Sequence, residues 1–299
     1  MNLQQLRAMA AIADTGSFSA AGQRLGLTHS AISQQVRHLE QELGVALVDR
    51  SFKPPTLTNL GRALVDRARM IQALTEEIRH LGQEDGLVGS LTLGAVPSAM
   101  LGRLPHALGA LRRAHPGLRC EIHVALSGEL SEELRSGRID AAIATAPQHP
   151  IEGLLWTEIA REPLVVMAPA DSDEENDRSL LETHPFIWFS RRTWAGQQIE
   201  QLLIDRNITV QSMAEVDSLE AIAALVEQGL GVSITPRLDS ALAARARVRT
   251  VPFGQPQATR SLAFFERANM PERAACAELL KLLQAAHEPP DFVPDDERP

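Results

Sequence analysis

Two cysteines in 299 residues, Cys120 and Cys276, are too few for a disulfide framework and lack metal-ligand spacing, which suits a reducing cytoplasm. No basic N-terminal segment leads into an apolar run, and no stretch approaches the roughly 18 apolar residues of a membrane span. A soluble, cytoplasmic protein with no membrane partner is expected. The usual signatures of catalysis are missing too. There is no Gly-rich phosphate loop, no Gly-x-Ser-x-Gly and no His-Glu-x-x-His, and the nine histidines are scattered rather than paired with acids at ligand spacing. No enzymatic activity, cofactor or metal is expected. A redox sensor would need a reactive, exposed thiol with a resolving partner. Cys120 instead falls in a candidate strand and Cys276 among apolar residues of a candidate helix, so both read as small buried side chains.

Net charge is −9, which on its own argues against a nucleic-acid partner, but the charge is segregated. Residues 1–62 hold six basic and four acidic groups, and the remainder holds 23 basic and 34 acidic groups. A mildly basic head sits on an acidic body.

The head shows three helix starts and three stops. Asn2, Ser17 and Thr28 are good N-caps, and Gly16, Gly26 and Gly44 are natural C-terminal stops. Between them, Leu3, Leu6, Met9, Ala10 and Ala13 recur at helical spacing, a second short helix reaches Leu25, and a third runs to about Glu42. On that third helix Ile32, Val36, Leu39 and Leu43 share one stripe, while Ser30, Ser33, Gln34, Arg37 and Gln41 share the opposite one. A solvated face is the ordinary reading of such a polar stripe. The companion helix ahead of it, and side chains suited to base edges and phosphates, turn the pattern into a helix-turn-helix with its second helix in DNA. Residues Ala46 to Thr58 read as two short extended pieces around a Pro-Pro turn, with Arg50 and Lys53 near the tip. That resembles a wing whose basic tip meets phosphates.

From the N-cap Thr58, the residues Leu60, Leu64, Ile71, Leu74, Ile78 and Leu81 form an a/d seam over about 36 Å of helix, interrupted where Arg67 takes an expected apolar position. Such a seam wants a second helix, so a homodimer is expected. Beyond Gly89 short apolar or period-two runs alternate with helical stretches, which argues α/β. Candidate strands are Leu91–Gly94, Cys120–Leu126, Ala141–Thr145, Leu164–Ala168, Phe186–Phe189, Met213–Val216, Gly231–Ile234 and Leu262–Phe265. Candidate helices are Leu101–Ala114, Ser131–Ser136, Ala195–Arg206, Ser218–Gln228 and Glu272–Ala286. Ligands of such sheets sit beyond the carboxyl ends of strands, near free helix N-termini. That rule selects Pro97, Ser98, Ser127, Gly128, Thr145, Ser190, Arg191 with Arg192, Asp217, Ser218 and Thr235. Their many hydroxyls suit a small polar or anionic molecule, although each alone reads equally well as a helix cap or strand terminator.

The run Gly16 to Arg50, GSFSAAGQRLGLTHSAISQQVRHLEQELGVALVDR, followed by Leu57 to Gly61, LTNLG, resembles the N-terminal domain of the LysR-type transcriptional regulators. The phrases LPHALGALRRAHPGL, LRSGRIDAAIAT and VDSLEAIAALVEQGLGVSITP resemble the effector-binding domain of the same family. The resemblance implies a multidomain α and α/β protein: a winged helix-turn-helix over 1–57, a linker and dimerisation helix over 58–82 and a hinge over 83–89. A two-lobed effector domain like that of periplasmic solute-binding proteins would follow over 90–288, ahead of a disordered tail over 289–299. Lobe one would comprise 90–162 plus 269–288, and lobe two 163–268. Thr28, Ser30, Ser33, Gln34 and Arg37 would face DNA, with Arg50 and Lys53 on the wing. His29 stands where the family very often has Gln, so it joins the DNA face as the position where base preference departs. The implied partners are double-stranded DNA, a small effector between the lobes, a second copy in a homodimer or a tetramer of two dimers, and RNA polymerase. A solute-binding protein would explain the body alone and leave the first 82 residues without a role.

Overall fold

The computed structural model describes residues 1–79, 86–237, 247–268 and 273–285, and the chain divides into two compact units, 1–89 and 90–299. In the first unit, helices α1 (Leu3–Thr15), α2 (Phe18–Leu25) and α3 (His29–Leu43) each begin under a side-chain cap. Asn2 accepts from the Gln5 N–H, Ser17 from Ala20 and Thr28 from Ala31. Each cap contributes about 1 kcal/mol by satisfying a donor that the helix cannot. Gly16, Gly26 and Gly44 end the three helices in the left-handed conformation that glycine alone adopts without cost. Met9, Ile12, Phe18, Ala21, Ile32, Val36, Leu39 and Leu47 close a shared core. Two-residue strands β1 (Val48–Asp49) and β2 (Thr56–Leu57) pair antiparallel as the wing.

Helix α4 (Asn59–Arg79) starts where Thr58 accepts from the Gly61 N–H at 3.0 Å. Its first half belongs to the head: Val65 and Ala68 are buried, Leu64 packs partly on the core, and Arg69 pairs with Asp14. The rest of the seam is open in the single chain, since Leu60, Ile71, Leu74 and Ile78 are all exposed. Arg67 turns back to the Ala63 carbonyl at 2.9 Å. Leu81 lies outside the described residues.

The second unit is built on a shared strand. Lobe one holds β3 (Gly89–Ala95), a 3-10 turn (Pro97–Leu101), α5 (Arg103–Ala114), β4 (Leu118–Val124), α6 (Ser127–Arg135) and β5 (Ala141–Thr145). Strand β6 (Leu154–Pro169) then crosses to lobe two, which holds α7 (Asp177–Thr183), β7 (Pro185–Phe189), α8 (Trp194–Asp205), β8 (Gln211–Val216), α9 (Leu219–Glu227), β9 (Ser233–Pro236) and β10 (Val248–Pro252). The chain returns through β11 (Thr259–Arg267) and ends its described part with α10 (Ala274–Ala285), which packs on α5. Residues 154–163 of β6 pair with β11, and residues 164–169 pair with β9 and β10. One 16-residue strand therefore seeds two sheets. Lobe one runs β4-β3-β5-β11-β6, and lobe two adds the parallel pair β7-β8 through a bridge from Phe186 to Val232. Val166, Phe186, Ile187, Ile199, Ile222, Val226, Ile234 and Phe253 form the second lobe's core.

Several expectations shift. The first half of β6 escapes the sequence pattern because Leu155, Trp156 and Thr157 are consecutive exposed residues on a free edge. Helix α6 begins at Ser127, not Ser131, because Leu126 precedes it without a side-chain cap and nothing polar marks the start. Helix α7 and strand β10 have no counterpart among the expected elements, and the expected strand Gly231–Ile234 lies two residues later. Strand β11 pairs with β5 through Leu262–Phe265, so residues 259–268 join lobe one, not lobe two, because that strand closes the first sheet. Residues 83–85, the tail 289–299 and most of the second segment of lobe one beyond 273–285 lie outside the described residues.

Candidate functional site

The recognition face is presented as its spacing requires. Ile32, Val36 and Leu39 are buried, which turns Gln34, Arg37 and Gln41 outward with Thr28, His29 and Ser30, while Ser33 is half-buried. His29, Ser30, Ser33, Gln34, Arg37, His38 and Gln41 line an open surface concavity of about 520 Å³. Thr28 is committed to its cap and to a hydrogen bond of 2.9 Å with Ser30. His29 lies tilted against Phe18 with ring centroids 5.8 Å apart, which ties the first residue of α3 to α2. Arg37 has no hydrogen bond or ion pair among the described residues, so its five donors face solvent uncommitted.

Arg50 is placed differently from Lys53. Its guanidinium is bidentate on Glu40, at 2.9 Å and 3.3 Å, and Glu40 also accepts from the Leu47 and Val48 N–H groups at 2.9 Å and 3.1 Å. Burial pushes the Glu40 carboxyl up, but Arg50 and the two N–H groups outweigh it and hold the group below its ordinary range. Much of the charge of Arg50 is thus spent bracing the wing against α3, and Lys53 is the exposed, unpartnered cation of the wing among the described residues.

In the second unit the candidate residues sort into distinct groups. Ser98 and Thr145 are brought together by a residue that the strand ends do not nominate, Arg260, only 2% exposed. Its Nη1 donates to Ser98 Oγ at 2.9 Å and to Thr145 Oγ1 at 3.4 Å, while Nε and Nη2 reach Glu162 Oε2 at 2.7 Å and 2.6 Å. Pro97 heads the 3-10 turn beside this group, and buried Ser127 with exposed Gly128 opens α6, whose first N–H groups have no side-chain cap. On the facing lobe Ser190 donates to Glu215 at 3.2 Å, and Thr193 accepts from Gly196 to cap α8. Arg191 is engaged by Glu215 and Glu200 and lies over Trp188 at 4.8 Å, which leaves it poorly placed for a ligand carboxylate. Ser218 caps α9 and Asp217 is exposed. Thr235 is fully buried, and its Oγ1 lacks a partner among the described residues. The lobes meet where Trp194 packs on Phe265 at 5.6 Å, where Gln198 donates to the Thr259 carbonyl, and where Arg192 approaches Glu129 at 4.0 Å. The sequence signal for Arg260 is faint: one charge at the head of an apolar strand whose expected start, Leu262, lies two residues later.

The cysteines are not sensors by chemistry. Burial raises the Cys120 thiol, and burial, assisted by Asp140, pushes the Cys276 thiol up to about 12. A thiol at that value is thiolate for only about one part in 10⁵ at pH 7. A thiol-specific chromogenic reagent added to the folded protein at neutral pH should label Cys276 only on unfolding. Rapid stoichiometric labelling in the native state would show that the site opens. Among the described residues no group of three or more His, Cys, Asp and Glu side chains can hold a metal, and no helix is long and apolar enough to cross a membrane.

Comparison with known proteins bears on both units. Residues 3–62 match the model of the bacterial regulatory helix-turn-helix protein, lysR family, and residues 84–288 match the LysR substrate binding domain. A probable HTH-type transcriptional regulator, LrrA of Synechococcus elongatus, is 30% identical over 251 residues, covering 80% of this chain and 82% of its own. The structure of a full-length OxyR variant from Pseudomonas aeruginosa superposes with a TM-score of 0.73 at 27% identity, over 96% of this chain and 99% of that one. CbnR solved with its target DNA shares the fold, with a TM-score of 0.62 at 23% identity over 96% of this chain and 100% of that one. These relatives are regulators rather than enzymes. An uncommitted recognition face, a capped three-helix head and a two-lobed α/β body under two family models lead to one conclusion: the chain belongs to the LysR family of DNA-binding transcriptional regulators with an effector-binding domain.

Proposed function

We propose that the head reads a promoter-proximal operator through Thr28, His29, Ser30, Ser33, Gln34 and Arg37, with Lys53 on a neighbouring phosphate and Arg50 bracing the wing. Two copies joined along Leu60, Leu64, Ile71, Leu74, Ile78 and Leu81 place two recognition helices on two half-sites, and two such dimers form a tetramer within reach of RNA polymerase. The exposed half of the seam supports pairing, since apolar a/d positions left in water favour a partner helix. A small effector in the cleft between the lobes, reached by Pro97, Ser98, Ser127, Gly128, Thr145, Ser190, Thr235 and, at its rim, Arg191, Asp217 and Ser218, alters how the subunits pack and so the spacing of the heads. We assign 1–57 to the DNA-binding domain, 58–82 to the linker helix, 83–89 to the hinge and 90–288 to the effector domain. The cytoplasm is the compartment in which such a protein meets DNA.

The observation that carries the DNA reading is the uncommitted Arg37 on the outer face of a helix whose inner face and both ends are fully engaged. On the duplex that the protein selects from a randomised pool, Arg37→Ala should weaken binding by about 1–3 kcal/mol and leave oligomer size unchanged. Affinity equal to that of the unaltered protein would remove Arg37 from the contact surface.

A further inference from the structure

We propose that Arg260 is a positioning residue of the effector cleft. By fixing Ser98 and Thr145 as hydrogen-bond donors, it makes the site select a ligand that enters with a carboxylate. The proposal rests on reading the cleft as the effector site. Arginine carries five N–H donors and no acceptor, so the Ser98 and Thr145 oxygens can only accept from it. Each hydroxyl proton is then turned away from the guanidinium, and neither hydroxyl donates to another group among the described residues. Both side chains are buried, at 7% and 2% exposure, so two O–H donors wait in a water-poor place for acceptors. An unmet buried donor is costly, and a group that satisfies it recovers that cost on binding.

The charges narrow the ligand class. Glu162 holds Arg260 on Nε and Nη2, so the pair as a whole is close to neutral and does not attract anions by charge alone. What remains is directional: two hydroxyls on the ends of adjacent chain segments, beside the uncapped first turn of α6, all of them donors. A carboxylate has two oxygens that accept from two hydroxyls, whereas an ammonium group can only donate and meets no acceptor there. The lone acceptor of the cluster, Glu162, is already held by Arg260. Lobe two adds no competing free donor set at its helix starts, because Thr193 and Ser218 have closed them.

The test measures thermal unfolding of the full chain with propionate, succinate and benzoate, each against the ammonium compound of matched skeleton: propylamine, 1,4-diaminobutane and benzylamine. At least one carboxylate should raise the melting temperature in a saturable way, with apparent affinity about ten-fold or more above its amine. Arg260→Lys, which still only donates, should keep that preference. Arg260→Gln, whose amide can also accept and so lets the hydroxyls turn round, should erase it. Stabilisation by amines equal to that by acids, no stabilisation by any of the three acids, or a preserved preference in Arg260→Gln would each overturn the proposal. If Arg260→Gln does not fold, Ser98→Ala and Thr145→Val replace it. Each should weaken the carboxylate at least about five-fold by removing one donor, and unchanged affinity would overturn the proposal. Operator binding measured on the same preparations separates the two readings, because a lost ligand preference with intact sequence-selective DNA binding sinks only the role of Arg260.

Discussion

Arg260→Leu is expected to cost the effector domain about 3–5 kcal/mol of stability. Removing the guanidinium leaves the Glu162 carboxylate beside apolar surface with no cation, and it strips Ser98 and Thr145 of the donor they share. The penalty comes from the charge left behind more than from the bond that is lost. The double variant Arg260→Leu with Glu162→Leu should therefore recover a large part of it, since a buried pair replaced by apolar residues of similar volume is often close to neutral. Urea unfolding of the full chain, followed by a probe in the second unit, checks both. A single-variant loss under about 1 kcal/mol would mean that water reaches Glu162 and that the pair behaves like a surface ion pair.

Gly61→Ala should damage the head, against the helix-propensity rule. Position 61 lies in the first turn of α4, where alanine in an unobstructed helix would gain up to about 1 kcal/mol over glycine. A Cβ there would sit 2.1 Å from the Leu47 carbonyl oxygen and 3.0 Å from its carbon. That carbonyl cannot swing aside, because it accepts the Thr58 N–H at 3.0 Å and because Leu47 is buried in the head core. Relief requires the first turn of α4 to move off the wing, at about 3 kcal/mol or more. The contact outweighs the propensity, so the net effect is a loss. Hydrogen exchange of the head amides should be faster and operator binding weaker, as expected of a loosened head. A variant as stable as the parent would show that α4 approaches Leu47 less closely.

The DNA-binding head was legible because its rules are local. Caps, glycine stops and the stripe of Ile32, Val36 and Leu39 all act within one turn of the residue that shows them, so Asn2, Ser17, Thr28, Gly16, Gly26 and Gly44 bound the helices before any folding is considered. The same holds for β5, whose five residues are buried on both faces. Local signals fail where burial is one-sided or a cap is missing, as at Leu155 to Thr157 in β6 and at the start of α6. They also cannot apportion charge: Arg37 and Arg50 look alike in sequence, and only the fold spends one on Glu40 and leaves the other free.

By itself, then, the sequence determined the three-helix head, the polar face of α3, the apolar seam of α4 and the α/β character of the body, because each follows from periodicity and chain-neighbour chemistry. The tertiary structure alone decided that β11 returns to the first sheet, that β6 serves both lobes, and that Arg260, Glu162, Ser98 and Thr145 form one group. Those four residues are separated by up to 162 positions in the chain. Only the antiparallel register of β11 against β5 and β6 brings them together, and long-range strand pairing leaves no mark on the residues nearby in sequence.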